Sequence, residues 1–416
     1  MNEIEDLYLK NNKFLIGNNI PWLTELRKNL LNEISIKGIP NKKKEIWKYS
    51  NLAHINNIKY YTVDSVDNKK NLYKNEKQNC IDAINGKYFF SDDIKNNKNI
   101  SLSHLSESIN NFKNYFYFNN NLFNNDFTVD INTIFLSDGI SFSVNDNNNF
   151  KLTINYKNIS NDVTSYLRNI IKVGNNSKLT LVEDFTKSES KNNSINVFNN
   201  FWLERGSEVE HIIIQDSQHT SEVTYSSLVY CYEDAKFNQL SFQIGSSSAK
   251  NQHTTNLMGE NSFANHYGIY FGEKKQFIDN KTLVKHHKEN CQSNQIYKGI
   301  LKDDSNGVYL SNTLVNPDAQ KTKGYQLSRG ILLSENCKLN TKPELKIYAD
   351  DVKCSHGSTV GALDKNQLFY LQSRGLSKKV AENFLIRAFY KDVLPIINDK
   401  ESIIRIDELV NKWLSN

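Results

Sequence analysis

A short turn phrase recurs through the middle of this chain and limits what it can fold into. Versions of it begin at Gly174, Arg205, Glu233 and Gly259, which are 31, 28 and 26 residues apart, and a later version begins at Ser334. The runs between these turns are rich in Val, Ile, Thr, Tyr and Phe, as β-strands are. A fixed period of this length with two strands per unit predicts a parallel β-helix, since a propeller blade needs about 40–45 residues and four strands. An immunoglobulin-like sandwich is the structural alternative.

The repeat-rich text divides the chain of 416 residues into three parts. We predict an N-terminal helical or mixed domain over 1–127, the parallel β-helix over 128–362 and a helical domain over 363–416. Apolar residues at three- and four-residue steps from Trp22 to Ile34 predict one amphipathic helix near the front. The sequence between this helix and the repeats allows no firm assignment of secondary structure. The predicted fold class is therefore mainly β, with helical parts at both ends.

Helix signals return after the last repeat. Asp364 and Ser377 are predicted N-caps of two successive helices, and Gly375 stands where the glycine after a helix belongs. A third helix is predicted over about 402–414. We expect this helical unit to close the solenoid and to cover its open edge, since an exposed sheet edge invites pairing with other chains.

Charge and cysteine content exclude several classes of protein. The chain has 51 Lys and Arg against 46 Asp and Glu, a net charge of +5 without a concentrated basic stripe, so we expect no nucleic-acid partner. Five cysteines without a CxxC pair argue against a zinc ribbon and a disulfide framework. The sequence contains no run of about 18 apolar residues, so no membrane span is predicted. The first residues lack the apolar core of a signal peptide. We therefore expect a soluble, cytoplasmic protein with reduced thiols.

The densest group of chemically able side chains lies near the end of the repeats. The segment 341–361 holds Cys354 and His356 two residues apart, so on an extended strand both project to one side. A thiolate and an imidazole on one face can bind a soft or borderline metal together. Two ligands do not complete a metal site, so a second chain would have to supply the others. The alternative is a buried cysteine and a hydrogen-bonded histidine at a domain junction.

Two neighbouring features are weaker candidates. His286, His287 and Cys291 would suit a metal if their segment were helical, but a coil corner is the favoured interpretation. Asp350 and Asp351 are adjacent, and adjacent strand residues point to opposite faces, so they form a poor acid and base pair. The sequence has no GxSxG, HExxH or GxxxxGK[ST] motif, so neither hydrolysis by these sites nor nucleotide binding by a P-loop is predicted.

The end of the repeats and the helices after it carry a long signature. The segment KPELKIYADDVKCSHGSTVGALDKNQLFYLQSRGLSKKVAENFLIRAF resembles the C-terminal signature of the SufB/SufD family of iron–sulphur cluster assembly proteins. The segments NQIYKGILKDDSNGVYLSN and NPDAQKTKGYQLSRGILLSENCKLNTKP, and the phrase KKKEIWKYSNL around Trp47 and Tyr49, are similar to the family as well. The chain resembles the SufD branch, because SufB chains are longer and carry extra N-terminal cysteines, whereas the first cysteine here is Cys80.

The resemblance implies a right-handed parallel β-helix between helical parts, and a non-catalytic scaffold role in a SUF-type assembly complex. It implies a SufB-like partner that pairs through the β-helix and a SufC-like ABC-type ATPase that binds the C-terminal helices. A homodimer and a heterodimer both stay open for the chain in isolation. A transient iron–sulphur cluster would form at the interface with the SufB-like chain, with His356 as a ligand and Cys354 as a second candidate. A reduced flavin is linked to complexes of this family, although the sequence shows no flavin fingerprint.

The second C-terminal helix is the candidate docking element for the ATPase. Its residues combine apolar anchors with an arginine, a set that is enriched at protein interfaces, and simple hairpin packing is the alternative interpretation. The candidates are Phe384, Leu385, Arg387, Ala388 and Phe389. Two other functions stay open at this point: the SufB paralogue itself, and a carbohydrate-active parallel β-helix enzyme. The enzyme would need a cluster of carboxylates or arginines along one sheet, which the sequence does not show.

Overall fold

The computed structural model describes most of the chain outside one long N-terminal stretch. The KKKEIWKYSNL phrase around Trp47 and Tyr49 lies outside the described residues. Those residues are 3–40, 79–114, 116, 126–161, 163–185, 192–217 and 221–415.

Helices lie at both ends of the described chain. The N-terminal ones are α1 (Glu3–Asn11), α2 (Pro21–Lys37), α3 (Asp92–Lys95), α4 (Leu105–Ser108) and α5 (Phe127–Ile134), with 3-10 turns at Asn12–Phe14 and Ile109–Phe112. The C-terminal ones are α6 (Lys365–Ser373), α7 (Lys378–Lys391) and α8 (Lys400–Ser415), with a 3-10 turn at Leu394–Ile396. None of the helices in the described ranges is long and apolar enough to cross a membrane.

Strands fill the chain between these helices. The early and first solenoid strands are β1 (Cys80–Ile84), β2 (Lys87–Phe89), β3 (Ile100–His104), β4 (Asp138–Val144), β5 (Asn149–Lys157), β6 (Thr164–Val173), β7 (Lys178–Asp184), β8 (Ser194–Leu203) and β9 (Glu208–Ser217). The later strands are β10 (Glu222–Cys231), β11 (Lys236–Gly245), β12 (Ser248–Leu257), β13 (Phe263–Gly272), β14 (Phe277–His286), β15 (Gln292–Leu301), β16 (Asn306–Val315), β17 (Thr322–Leu332), β18 (Lys338–Ile347) and β19 (Val352–Gly361).

The strands form a parallel β-helix of about seven turns, so the predicted fold class is confirmed. From β4 onward, successive strands alternate between two sheets, and from β6 onward each strand pairs in parallel with the second strand before it. Sheet A contains the odd-numbered strands from β5 to β19 and is extended by β1 and β2. Sheet B contains the even-numbered strands from β4 to β18 and is extended by β3. The strands β1 to β3 thus join the sheets from within the predicted N-terminal domain, whose boundary stays a prediction.

The first four versions of the recurring phrase are turns that lead from sheet B to sheet A, whereas the version at Ser334 lies between β17 and β18, in a turn from sheet A to sheet B. In the first four versions one residue has a positive φ: Asn176 at 53°, Gly206 at 66°, Asp234 at 57° and Asn261 at 59°. Glycine adopts this left-handed backbone readily, and Asn and Asp tolerate it better than other residues. Backbone amides of this position donate to the turn of the next coil, at 2.9 Å from Asn176 N to the Arg205 carbonyl oxygen. The phrase therefore recurs because the same turn is stacked coil upon coil.

The N-terminal helices cover the outer face of sheet B at the first coils. The predicted helix from Trp22 to Ile34 is confirmed as α2, which buries Leu23, Leu26 and its other apolar residues in this stripe. They pack in one cluster with α5 and with Tyr166 of β6. The helix is stable mainly because this apolar stripe is buried, since isolated helices of this length are marginal in water.

The C-terminal helices lie across the outer face of sheet A. Tyr390 of α7 and Trp413 of α8 pack against Phe271 of β13, with ring centroids 5.8 and 5.0 Å from it. The predicted N-caps are confirmed, because Asp364 accepts hydrogen bonds from the first turn of α6 and Ser377 accepts one from the first turn of α7. The predicted glycine after the first helix, at position 375, has a φ of 92°.

The expectation that these helices cover the open edge of the solenoid is wrong. The outward side chains of sheet A are apolar in the middle coils, for example Leu240, Phe242 and Ile269, and the helices bury that face. Burial of an apolar face outweighs coverage of a polar strand edge, since the free energy gained scales with the apolar area removed from water. No described helix covers the free edges of the final strands β18 and β19.

Candidate metal site at the open end of the solenoid

The last coil consists of β18 and β19, which are the end strands of sheet B and sheet A. In the described part of the chain no further strand pairs with either of them, so both present a free backbone edge. None of their residues is buried, whereas all ten residues of β12 are. Pro343 in β18 suits this position, because proline cannot donate to a further strand. The solenoid is therefore open at this end.

The strand register decides which side chains face the lumen of the solenoid. On β17 the buried residues alternate, and they include Gly324 and Gln326. Gly324 pairs with Cys354 and Gln326 pairs with His356, so the thiol and the imidazole both lie on the lumen side of β19. The two-residue step in the sequence predicted one shared side. The structure adds that this side is the open lumen, where no further coil covers the imidazole.

Cys354 lies in a small apolar site that the neighbouring strand makes room for. It packs against a cluster formed by Val315, Ala319 and Ala349, and it is half-buried. At Gly324 an added Cβ would approach the Cys354 Sγ to 3.3 Å, so a side chain at this position would crowd the thiol. Burial raises the pKa of the Cys354 thiol, against a backbone hydrogen bond from Gly324 that lowers it. A metal would therefore bind this sulphur by displacing its proton.

His356 is exposed, on the lumen side of the last strand of sheet A. Ser358, two residues further on, hydrogen-bonds to Thr341 of β18, which links the two sheets across the lumen beside the imidazole. Thiolate and imidazole together suit iron and zinc. Within the described residues no group of three or more His, Cys, Asp and Glu side chains could hold a metal ion. Among the described residues the pair therefore forms an incomplete site, to which other ligands would have to be added.

The two weaker candidates lie in turns. His286 is fully buried at the end of β14, and its ring lies 2.9 Å from the Ser293 hydroxyl, while Cys291 packs against Ser262. The interpretation of this segment as a coil corner is confirmed. Asp351 lies with its neighbour Asp350 in the turn before β19 rather than on a strand, and its backbone amide donates to the Gln320 side chain at 2.9 Å.

The candidate docking residues divide between two faces of α7. Phe384 is 56% exposed and Ala388 is exposed as well, so both face away from the solenoid. Leu385, Arg387 and Phe389 are half-buried. Phe389 packs at the edge of the apolar cluster between α7 and sheet A, and its ring lies under the Lys298 ammonium group at 4.8 Å. Hairpin packing therefore accounts for part of the set.

Sequence reasoning missed the exposed aromatic residues beside Phe384. Phe369 is 72% exposed and Tyr370 is 57% exposed on α6, and Val380 at the start of α7 is 51% exposed. Together with Phe384 they form what we call the hairpin patch. The adjacent pair Phe369 and Tyr370 was a usable signal, because a nine-residue helix cannot bury two consecutive aromatic residues together with Leu368 and Leu371 on one narrow face.

Family models place this solenoid, with its half-buried thiol and exposed imidazole, in a known class. Residues 155–389 match the model for the SUF system FeS cluster assembly SufBD core domain, and residues 1–155 match the SufBD protein N-terminal region. The chain therefore belongs to the SufBD family of the SUF iron–sulphur cluster assembly system, and within that family to the SufD branch.

Individual relatives agree with this assignment. The chain is 29% identical over 237 residues to the iron-sulfur cluster assembly protein SufD of Escherichia coli, an alignment of 57% of this chain and 56% of that protein. It is 24% identical over 278 residues to SufD of Plasmodium berghei, which covers 64% of this chain and 20% of the relative. A SufBD family protein of Synechocystis is 28% identical over 235 residues, 55% of this chain and 52% of the relative. The chain thus spans about half the length of the bacterial relatives that it matches.

Proposed function

We propose that this chain is a non-catalytic scaffold subunit of a SUF-type assembly complex in the cytoplasm. It pairs with a SufB-like paralogue at the open end of the solenoid and docks a SufC-like ABC ATPase on its C-terminal helices. One observation carries the proposal: Cys354 and His356 face a lumen that the described part of the chain leaves uncovered, at two free strand edges. Iron and sulphide are the cargo of this site, and the cluster formed there is transient.

The incomplete ligand set supports assembly between two chains. A resident cluster would be held by a full set of protein ligands, whereas Cys354 and His356 supply two at most. When a second subunit supplies the remaining ligands, a small shift between the subunits opens the coordination shell and releases the cluster. Two free strand edges beside the site offer the backbone groups on which such a subunit can pair.

The hairpin patch supports docking of the ATPase. Exposed apolar patches of this kind mark interaction sites on soluble proteins, and aromatic residues are enriched at interfaces. The hairpin follows directly after β19 in the chain, and the opposite side of α7 is anchored on sheet A through Ile386 and Tyr390. A movement of the hairpin that follows ATP binding would therefore reach the open end through the segment that joins β19 to α6.

Co-expression with SufB-like and SufC-like chains tests the site. We expect the complex to purify anaerobically with bound iron and sulphide, and we expect His356→Ala to lose most of that iron while the subunit ratio is unchanged. Ser358→Ala is the matched control, because Ser358 lies on the same side of β19 and bonds to Thr341 rather than to metal. Full iron content in the His356→Ala complex would contradict the proposed site.

Point variants of the full chain test the docking surface. Phe369→Ser and Phe384→Ser are expected to weaken capture of the SufC-like ATPase in a pull-down by at least tenfold while the β-helix keeps its thermal midpoint. Ile36→Ser on α2 is the control, since Ile36 is 85% exposed and lies in the N-terminal part. Equal capture by all three variants would exclude the hairpin patch. The reduced flavin stays a prediction, and a homodimer of the isolated chain stays an open alternative.

A further inference from the structure

A column of polar side chains runs through the lumen along sheet A. It occupies one register position on every strand of sheet A from β9 to β19. Each member is the register partner of the next member on the neighbouring strand of that sheet. All of its members except the last are buried. The column is His211, Gln239, His266, Gln295, Gln326 and His356. The candidate ligand is thus the exposed end of a buried series of amides and imidazoles.

Inside the column an amide fixes the tautomer of the imidazole on the following coil. The Gln239 Oε1 lies 2.7 Å from His266 Nδ1, and an amide oxygen can only accept, so Nδ1 of His266 carries the proton. The Nε2 of His266 is then an acceptor for the Thr255 hydroxyl at 2.8 Å. The same amide donates through its Nε2 toward His211 Nδ1 and His253 Nδ1, each at 3.1 Å, which agrees with this orientation.

Gln326 stands in the same relation to His356 as Gln239 does to His266. Its Nε2 donates to the Thr313 hydroxyl at 2.8 Å and to the Glu344 carbonyl oxygen at 3.2 Å, which fixes the direction of the amide. Its Oε1 has no hydrogen-bond partner within the described residues, although the side chain is only 3% exposed. A buried acceptor without a partner is costly, so the environment of Gln326 is incomplete without a donor.

His356 can supply this donor, because it is the register partner of Gln326 on the next strand. The two residues lie on adjacent parallel strands, which run about 4.8 Å apart. No coil lies beyond β19 in the described chain, and the exposed His356 ring is free to turn toward the amide. Whereas the Thr255 hydroxyl contacts the second ring nitrogen of His266, no hydroxyl among the described residues bonds to the His356 ring.

We propose that Gln326 is the positioning residue of His356. Its Oε1 accepts the proton of His356 Nδ1, and this hydrogen bond leaves the lone pair of Nε2 directed toward the open end, where iron arrives. The inference deepens the proposed function and rests on His356 being a ligand. Partners that hold the second nitrogen of a metal-binding histidine set its tautomer and orientation, and their loss typically lowers metal affinity by about 10–100-fold.

The tautomer of His356 is the first readout, because a purely structural role of Gln326 would not alter it. Nitrogen NMR on the full chain with ¹⁵N-labelled histidine separates protonated from unprotonated ring nitrogens, and His356→Ala assigns the signals. We expect wild-type His356 to carry its proton on Nδ1. In Gln326→Met, which keeps the side-chain length, we expect the proton to move largely to Nε2. An unchanged Nδ1–H signal in Gln326→Met would overturn the proposal.

Two further variants sharpen the test. Gln295→Met removes the amide one coil deeper in the same column, so it should leave the His356 signal unchanged. Gln326→Glu retains an acceptor, so it should preserve the Nδ1–H tautomer. If Gln326→Met fails to fold, the tautomer in Gln326→Glu decides the question, and a proton on Nε2 of His356 in that variant would count against the contact.

Metal binding separates this inference from the proposed function. Titration of the anaerobic chain with Co²⁺ alone should broaden the His356 signal at a concentration that rises at least tenfold in Gln326→Met, while Gln295→Met matches the wild type. If His356→Ala complexes accumulate normal iron, the proposed function fails irrespective of the tautomer. If His356→Ala loses the iron but Gln326→Met changes neither the tautomer nor the Co²⁺ titration, the positioning role alone is refuted.

Discussion

The two strands β12 and β19 are equally long and belong to the same solenoid, yet they differ completely in burial. All ten residues of β12 are buried, and none of β19 is. Hydropathy does not explain the difference, because β12 reads SAKNQHTTNL and contains more polar residues than apolar ones. Position explains it, since β12 has coils on both sides and β19 has a coil on one side only. In a stacked fold, place in the series decides burial.

This comparison assigns different tasks to the two regions. In the interior, polar side chains must find partners within the chain, and they do so in networks such as that around Glu183, which accepts from Tyr156, Asn199 and Tyr225. At the open end, similar side chains are left for groups outside the chain. We therefore expect interior polar residues to control stability, and those of the last coil to control assembly.

The largest effect is expected from loss of the buried carboxylate at Glu183. Burial by itself raises the pKa of Glu183, but hydrogen bonds, first that from His211, hold it below its ordinary value. Glu183→Leu would remove the carboxylate to which four buried groups donate, of which Asn199 keeps a second acceptor in the Tyr225 hydroxyl at 2.7 Å. We expect it to cost about 3–5 kcal/mol in the free energy of unfolding. His356→Ala should change the free energy of unfolding by less than about 0.5 kcal/mol. Urea unfolding of both variants measures this, and similar costs would contradict the comparison.

The second effect is a loss of stability in acid that the interior histidines cause. Burial, with a smaller contribution from His211, lowers the pKa of His266 to about 3, and burial also lowers the pKa of His286 to about 3. The unfolded chain takes up these protons near pH 6.5, whereas the folded chain does not. Each group should therefore reduce the free energy of unfolding by about 1.4 kcal/mol per pH unit as the pH falls from about 6.5 toward 3.

A single variant isolates this pH dependence. His266→Gln is mild, because glutamine occupies the same register position on both neighbouring strands, at Gln239 and Gln295. Between pH 7.5 and 5, the free energy of unfolding of this variant should then depend on pH less steeply than that of the wild type, and the two slopes should differ by close to one proton. Urea unfolding at several pH values measures both slopes. An unaltered slope in His266→Gln would show that this ring is not kept neutral by burial.

The sequence predicts the stacking of the coils better than it predicts which side chains of each strand are buried. The turn phrase reports a left-handed backbone position, at Asn176 or Gly206 for example, and this local requirement repeats with every coil. The polar lumen is invisible to a search for apolar periodicity, because residues such as His253 and Asn251 are buried by stacking rather than by hydropathy. Register is a long-range property, so it could not be read from one strand.

The same reasons explain what sequence analysis established about the site. The step from Cys354 to His356 predicted a shared side, because alternation along a strand is local. That this side is the lumen, and that Gln326 lies beneath the imidazole, follow only from pairing with β17. The placement of the C-terminal helices was mispredicted because the apolar outer face of sheet A is assembled from many coils, none of which shows it alone.

A third, smaller effect compares two phenylalanines on α7. Phe389 packs at the edge of the apolar cluster on sheet A, whereas Phe384 is largely exposed. Because Phe389 is half-buried, we expect Phe389→Ala to cost about 1–2 kcal/mol, and Phe384→Ala less than about 0.5 kcal/mol. Thermal or urea unfolding of the two variants measures the difference. A larger loss in Phe384→Ala would mean that Phe384 belongs to the packing of the hairpin, and it would argue against the hairpin patch as a docking surface.

The smallest effect is expected where a hydrogen bond joins the two sheets at the open end. Ser358 and Thr341 bond across the last coil, and Thr282 and Gln295 do the same in the interior. In Ser358→Ala water can replace the lost partner, so the free energy of unfolding should fall by less than about 0.5 kcal/mol. Thr282→Val would leave a buried amide oxygen unsatisfied and should cost more. If urea unfolding gives equal losses for the isolated chain, the last coil is covered in solution, and a second copy of the chain is then the cover to test by its mass.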